Sequence, residues 1–169
     1  MNKNLVNKVN GYIANIGVSF VKMHNLHWNV VGSQFKAVHE YLESVYDDYA
    51  DILDEAAELL RMNGELPAAS LKQYLELASV KEIESREIPI GDALGILLAD
   101  MKLLRDQAAD IRKAADAEDA FDAANMMEDH IKEFSKKIWF VESIDDEVAG
   151  NGAAGCPGRK KRAIRSSGT

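Results

Sequence analysis

Apolar residues recur every three or four positions along most of the chain, which is the pattern of amphipathic helices. In residues 4–31 this stripe ends at His27, and a Gly32-Ser33 pair follows the segment. Residues 34–63 show an unbroken alternation of three and four, typical of the seam of a helical bundle. Asn63-Gly64 is a helix stop signal. The pattern therefore predicts two long helices joined by a short turn.

The second half of the chain predicts another pair of long helices after a long connection. Residues 65–88 contain Pro67 and room for one short helix at 70–77. Helical periodicity then returns over residues 90–117 and 120–148, and no segment shows the alternation of a strand. Four long helices with one long crossover predict an all-α fold, a ferritin-like four-helix bundle with a short helix in the crossover between helices two and three.

Length and composition favour one domain. The 169 residues are 47% hydrophobic and 28% charged, which suffices for one compact core. We expect the bundle to occupy residues 1–148 and a disordered basic C-terminal tail to occupy residues 149–169. No apolar run approaches the roughly 18 residues that span a bilayer, so no membrane association is expected. Polar residues interrupt any N-terminal signal peptide, and the lone Cys156 forms no internal disulfide, so a cytoplasmic location is expected.

Charge is unevenly distributed along the chain. The net charge is −8, yet residues 156–169 contain five of the 20 Lys and Arg residues and none of the 28 Asp and Glu residues. Residues 1–155 therefore carry −13. An acidic body repels duplex DNA and attracts cations, whereas a short basic arm does the opposite.

Four candidate metal ligands lie on one face of the second helix. At 100° per residue from Phe35, they fall between about 40° and 140°, away from the apolar seam at roughly 240° to 360°. They form two pairs, each one helical turn apart, and the two pairs are separated by fifteen residues, about 22 Å of helix. One helix cannot wrap all four around one ion. The four residues are His39, Glu43, Asp54 and Glu58.

The positions of these ligands mirror each other about Asp48. If the same helix of a second copy lay antiparallel across a two-fold axis, His39 would face the partner's Glu58, and Glu43 would face the partner's Asp54. The spacing therefore predicts a homodimer with two equivalent sites, because every contact at a two-fold interface occurs twice. Small residues on this face would let the helices approach, namely Ala50 and Ala57.

His27 completes the predicted site, since the short turn between the helices brings it beside His39. Two imidazoles with three carboxylates suit iron, manganese or zinc, whereas calcium prefers oxygen ligands and structural zinc usually recruits thiolates. Simpler explanations stay open for each residue. An acidic outer face is often only solvated, His27 alone would more often be a satisfied core histidine, and His39 alone would more often be a surface residue.

Several of these residues belong to one longer motif, which comprises His27-Trp28-Asn29, Gly32, Phe35, His39-Glu40, Glu43, Asp54 and Ala57-Glu58. This motif closely resembles that of the Dps family, the DNA-binding proteins from starved cells within the ferritin-like superfamily. The resemblance covers residues 4–148 and implies ferroxidase ligands at His27, His39 and Glu43 of one subunit and at Asp54 and Glu58 of its two-fold mate. Two residues depart from the family pattern: most members carry Asp at the position of Glu43 and Arg at that of Leu59.

The resemblance implies a hollow dodecamer that binds Fe(II), oxidises it preferentially with hydrogen peroxide and stores the ferric product inside. Trp28 is a redox or supporting residue in this interpretation and an interface-packing residue otherwise. Asp119 and Asp122 correspond to an iron-entry pore, although the helix dipole alone also favours acids at that position.

Two alternative functions stay open at this point. One is a DNA-compacting nucleoid protein, and the other is an inactive cage whose metal site, filled for example by zinc, only joins the dimer. DNA binding would use the basic tail, whose charged residues are Arg159, Lys160, Lys161, Arg162 and Arg165. Outside these sites, we expect His24 and His130 to be solvent-exposed or to support the ligands, and Trp139 to be a packing residue.

Overall fold

The computed structural model describes residues 1–148, with side chains described as far as Ile144. It confirms the ferritin-like arrangement of four long helices and a short helix in the crossover. Among the described residues, no helix combines the length and apolarity needed to cross a bilayer. The predicted tail lies outside the described residues. The elements in chain order are α1 Lys3–Asn29, β1 Val30–Val31, α2 Phe35–Met62, α3 Leu71–Leu77, β2 Ile88–Pro89, α4 Ile90–Asp116 and α5 Phe121–Val148.

Two short strands of two residues each occur within this all-α fold. The first helix ends at Asn29 instead of residue 31, and Val30–Val31 pairs in parallel with Ile88–Pro89. Two-residue strands are too short to produce an alternating pattern, and their partners lie far apart in sequence. This bridge brings the end of α1 beside the start of α4, so the crossover runs the length of the bundle.

The bundle core is built from the predicted apolar seams. The three-and-four alternation of α2 has eight apolar positions, and seven of them are buried and pack with apolar residues of α1, α4 and α5. The eight are Phe35, Val38, Leu42, Val45, Tyr49, Ile52, Ala56 and Leu59. Phe35 is the exception: it is the first residue of α2, where the helix enters from the turn, and its side chain is 43% exposed. Burial of each large apolar side chain stabilises the fold by about 1.5–3 kcal/mol before entropy is counted.

Asn15 fastens the crossover to the bundle. Its side chain is buried on α1, where its Oδ1 accepts hydrogen bonds from the amides of Ser79 (2.8 Å) and Val80 (2.9 Å). Its Nδ2 donates to Gln107 Oε1 on α4 at 2.9 Å. A buried side-chain amide without hydrogen-bond partners would destabilise the folded protein. These bonds therefore hold the end of the crossover in place.

Candidate metal centre

A tight turn places the start of α2 beside the end of α1. Gly32 in this turn has φ +152°, and a Cβ there would lie 2.7 Å from Ile90 Cδ1. Glycine suits both the backbone angle and the close approach. The reversal sets α2 antiparallel to α1, with His27 in the last turn of α1 and His39 in the second turn of α2.

The two histidines hold each other through reciprocal hydrogen bonds. The Nδ1 of His27 lies 2.8 Å from the backbone carbonyl of His39, and the Nδ1 of His39 lies 2.9 Å from the backbone carbonyl of His27. Because a carbonyl only accepts, each Nδ1 carries a proton and donates it. The rings stack with centroids 3.6 Å apart. In both rings, therefore, Nε2 is the nitrogen available to a metal, and the backbone fixes its direction.

Glu43 joins this pair one turn further along α2. One potential ligand atom from each of His27, His39 and Glu43 lies within 4.8 Å of the others. The three side chains differ in their exposure to solvent: His27 is buried, His39 is half-buried and Glu43 is exposed. The cluster is thus closed by protein on one side and open on the other, where further ligands from outside the subunit have access.

Asp54 and Glu58 are not part of this cluster within one subunit. Asp54 follows Glu43 by about 16 Å of helix rise, and both acids are exposed on the outer face of α2. A shallow cavity of about 240 Å³ lies on this face and is lined by Asp54 and by apolar or small residues. Those other residues are Phe20, Ala50, Leu53 and Ala57.

Aromatic side chains surround the histidine pair, and one of them, Tyr46, was not foreseen from the sequence. The Tyr46 ring stands perpendicular to His27, with centroids 5.3 Å apart, and stacks on His24 at 3.9 Å. Trp28, 69% exposed, contacts the edge of His24 at 5.3 Å. Helical spacing alone could have identified Tyr46, because it lies two turns after His39 and one turn after Glu43 on α2.

The two acids of the predicted pore have different surroundings. Asp119 is exposed in the turn between α4 and α5 and has φ 55°, a left-handed conformation that Asp tolerates. Asp122 accepts hydrogen bonds from Asn63 Nδ2 and from the amide of Ala123, both at 2.9 Å. The bond from Asn63 is the main cause that lowers the pKa of Asp122. Asp122 therefore joins the end of α2 to the start of α5.

Outside the site, the structure corrects the expectation for His130 and places Trp139 at the subunit surface. His130 is neither solvent-exposed nor near the metal cluster, because it is 2% exposed and bonded to Tyr12 and Glu55. Trp139 is not packed within the subunit, being 63% exposed, although its ring contacts Phe140. The residues predicted to bind DNA lie outside the described residues.

Known proteins of the same architecture are similar to this chain. A family model described as a ferritin-like domain matches residues 6–150. A DNA protection during starvation protein from Brevibacillus brevis is 33% identical over 144 residues, covering 80% of this chain and 91% of the relative. The structure of Dps from Listeria monocytogenes aligns with a TM-score of 0.80 at 28% identity, covering 83% and 92% of the two chains.

A third relative adds a description of its chemistry. The Dps protein from Vibrio cholerae O1 aligns with a TM-score of 0.80 at 27% identity, covering 84% of this chain and 89% of that one. That protein is described as a member of a broad superfamily of ferritin-like diiron-carboxylate proteins.

Proposed function

The chain belongs to the Dps family of ferritin-like proteins, and from this premise we propose that it is a ferroxidase that binds, oxidises and stores iron. The observation that carries the proposal is the cluster of His27, His39 and Glu43. Its reciprocal hydrogen bonds occupy both Nδ1 atoms and leave both Nε2 atoms free for a metal, and one ligand atom of each imidazole lies within 4.8 Å of the Glu43 carboxylate. A satisfied core histidine needs no such arrangement, and an N/O donor set of this kind suits iron.

We further propose that Asp54 and Glu58 complete the site from a second copy of the chain. Three facts support this: the cluster is open on its outer side, both acids are exposed, and their positions mirror those of Glu43 and His39 about Asp48. The shallow cavity beside Asp54 gives a second helix room to pack, because alanines line part of it. A two-fold axis would then produce two identical sites per dimer.

The donor set explains how iron is handled as a substrate. The imidazoles of His27 and His39 bind Fe(II), and the carboxylates stabilise Fe(III) after an electron leaves. Hydrogen peroxide is the proposed oxidant: each peroxide takes electrons from a pair of Fe(II) ions and, with protons, leaves as water. Zinc or manganese would bind the same donors in place of iron.

Storage requires a hollow assembly, and we propose a dodecamer built from these two-fold dimers. Large apolar side chains are exposed at the end of the subunit where α2 stops and α5 begins, which supports further subunit contacts there. They are Met62 (70%), Leu66 (77%) and Phe121 (69%). Asp119 and Asp122 lie at the same end, where we propose that they guide Fe(II) through a pore into the cavity.

A second candidate function is DNA binding. The relative from Brevibacillus brevis is named a DNA protection during starvation protein. In this chain the acidic body disfavours phosphate, so the proposed contact is the basic tail formed by Arg159, Lys160, Lys161, Arg162 and Arg165. Both functions are compatible within one cage.

Mixing two inactive variants tests the shared site. His39→Ala and Asp54→Ala should each abolish rapid Fe(II) oxidation, because each removes one ligand from every site. After dissociation and random reassembly, about a quarter of the sites should be intact, since half the dimers are mixed and each has one complete site. Stopped-flow oxidation and metal analysis of the mixed cage would measure the recovery.

The matched control mixes His39→Ala with Glu43→Ala. Those residues come from the same subunit in the proposed site, so no reassembled dimer can restore it. Equal recovery in both mixtures, or none in the first despite verified reassembly, would refute the shared site. Binding of zinc without oxidation of Fe(II) by the unsubstituted cage would instead favour a purely structural metal site.

A further inference from the structure

A hydrogen-bonded chain of three side chains crosses the bundle far from the metal cluster. The Tyr12 hydroxyl lies 3.2 Å from His130 Nδ1, and His130 Nε2 lies 2.9 Å from Glu55 Oε2. Tyr12 is fully buried and His130 is 2% exposed, whereas the Glu55 side chain is 58% exposed. These hydrogen-bonded side chains of α1, α5 and α2 therefore connect the interior of the bundle with its surface.

The chemistry of the three groups fixes the direction of these bonds. The ionised carboxylate of Glu55 only accepts, so His130 Nε2 carries a proton and donates it. In the neutral imidazole, Nδ1 then has a lone pair and accepts the hydrogen bond from the Tyr12 hydroxyl. All the protons thus point toward Glu55 and the solvent.

This arrangement matters because a phenol becomes a strong acid when it loses an electron. A buried tyrosine can be oxidised readily only if a base takes its proton at the same time. Burial, followed by the carboxylates of Glu133 and Glu55, raises the pKa of Tyr12 well above its usual range, so the phenol stays protonated beforehand. His130 provides the base, and imidazole is a common proton shuttle.

The hydroxyl groups of Tyr49 and Tyr41 lack such a base. Within the described residues, the buried Tyr49 hydroxyl has no hydrogen-bond partner. The Tyr41 hydroxyl donates to the backbone carbonyl of Lys137 at 3.4 Å, and a carbonyl is a poor proton acceptor. Tyr12 is therefore set apart by its bond to a titratable group.

We propose that Tyr12 is an internal electron donor that quenches one-electron oxidants, with His130 and Glu55 carrying its proton to the surface. The oxidant is of the hydroxyl-radical class and arises when peroxide takes one electron from a single Fe(II) ion instead of two from a pair, so its source rests on the proposed function. Tyr12 gives its electron to the radical, which becomes hydroxide, and its proton moves to His130 Nδ1.

The remaining steps balance the reaction. The Nε2 proton of His130 passes to Glu55 and then to solvent, where it and the hydroxide form water. A further Fe(II) returns an electron to the Tyr12 radical and becomes Fe(III), while a proton comes back along the same chain. The net result converts a damaging radical into water and leaves the tyrosine unchanged.

Intermediate aromatic rings lie between the metal cluster and Tyr12. Along α1, fifteen residues separate Tyr12 from His27, about 22 Å of helix. Tyr46 contacts the His27 ring with centroids 5.3 Å apart, and Tyr49 lies one turn further along α2 in the core. Electron transfer between the metal cluster and Tyr12 can therefore proceed in short steps through these rings.

Freeze-quench electron paramagnetic resonance of the assembled protein tests the proposal in two arms. In the first, the protein with Fe(II) receives hydrogen peroxide; in the second, the metal-free protein receives azide radicals as the one-electron oxidant. The unsubstituted protein should form a neutral tyrosyl radical in both arms. Tyr12→Phe should lose this signal, whereas the control Tyr41→Phe should keep it.

Two further variants test the proton path. His130→Gln and Glu55→Gln should reduce the radical yield while Fe(II) oxidation continues at its usual rate. In D2O the unsubstituted protein should form the radical more slowly, and Tyr12→Phe should show no such isotope effect. A merely structural role for His130 would not produce the isotope effect.

The outcomes separate the two proposals. A tyrosyl signal that persists in Tyr12→Phe, or no signal in either arm of the unsubstituted protein, overturns the electron-donor role. A Tyr12 radical with azide in a protein that does not oxidise Fe(II) supports the donor role and contradicts the ferroxidase function.

Discussion

At the scale of single residues, the position of the proton on each imidazole ring decides how the histidine pair can bind a metal. Each Nδ1–H of His27 and His39 is held by a backbone carbonyl, which leaves both Nε2 atoms free to bind a metal in the cluster with Glu43. Such fixed orientation lowers the cost of binding a metal, because the rings need not be reordered. The two carbonyls can occupy these positions only because the turn at Gly32 is tight.

Gly32→Ala should therefore weaken both the fold and the metal cluster. A φ of +152° strains any residue with a Cβ, and that Cβ would overlap Ile90 Cδ1 at 2.7 Å. We expect a loss of about 1–3 kcal/mol in the free energy of unfolding, measured by denaturant titration, together with weaker Zn(II) binding measured by calorimetry. Gly95→Ala is the control, since nothing lies within 4 Å of its added Cβ. Equal stability of the two variants would contradict the role of the turn.

At the scale of elements, the crossover is attached to the bundle by a few specific contacts. Besides the amide of Asn15, the ring of Tyr74 on α3 lies directly against Gly17 of α1, where a Cβ would be 2.6 Å from Tyr74 Cδ2. α3 has no buried residue of its own, so this close packing is a main source of its position.

Gly17→Ala should detach α3 while leaving the four long helices formed. The added methyl group pushes the Tyr74 ring away, at a cost of about 1–3 kcal/mol typical of overpacking. Amide hydrogen exchange should accelerate in residues 71–77 and change little in α4. Gly11→Ala on the same helix is the matched control, because its Cβ would meet Gln107 Nε2 at an ordinary 3.5 Å. Unchanged exchange in both variants would show that Gly17 does not position α3.

At the scale of the whole molecule, the exposed face of α2 is explained by a second copy. Ala50 is exposed and Ala57 is half-buried in the single chain, and both lie beside Asp54. If this face is the two-fold interface, its small residues determine how closely the two helices approach, and thus whether the partner's carboxylates reach His39.

Ala50→Lys should break the dimer without unfolding the subunit. It places like charges close to each other near the two-fold axis, in a contact that excludes water. Sedimentation should show smaller species, with helical content by circular dichroism unchanged. Ser44→Lys adds the same charge on an exposed part of α2 away from this face and should assemble normally. A cage of full size formed by Ala50→Lys would count against the interface.

Truncation after Cys156 should abolish or sharply weaken DNA binding while iron oxidation continues. Without the tail, the acidic body of −13 repels phosphate. Many tails on one cage convert weak contacts into avidity, so binding by the intact protein should collapse as salt rises. Gel retardation at low and physiological salt measures both effects. Equal shifts with and without residues 157–169 would eliminate the tail as the DNA-binding element.

The sequence by itself determined the features that depend on local periodicity. The buried seam of α2 follows from the spacing of apolar residues, because a helix repeats its faces every 3.6 residues. The same geometry placed His39 and Glu43 one turn apart, and the short turn predicted His27 beside them. These relations involve neighbours along one or two helices.

Only the tertiary structure decided which distant groups meet. The pairing of Val30–Val31 with Ile88–Pro89 and the bonds from His130 to Tyr12 and Glu55 join residues 58 to 118 positions apart. Their contacts depend on the rotation and axial offset of packed helices, which no single helix encodes. A buried histidine and an exposed one have the same local pattern, so His130 could be recognised only once three helices surrounded it.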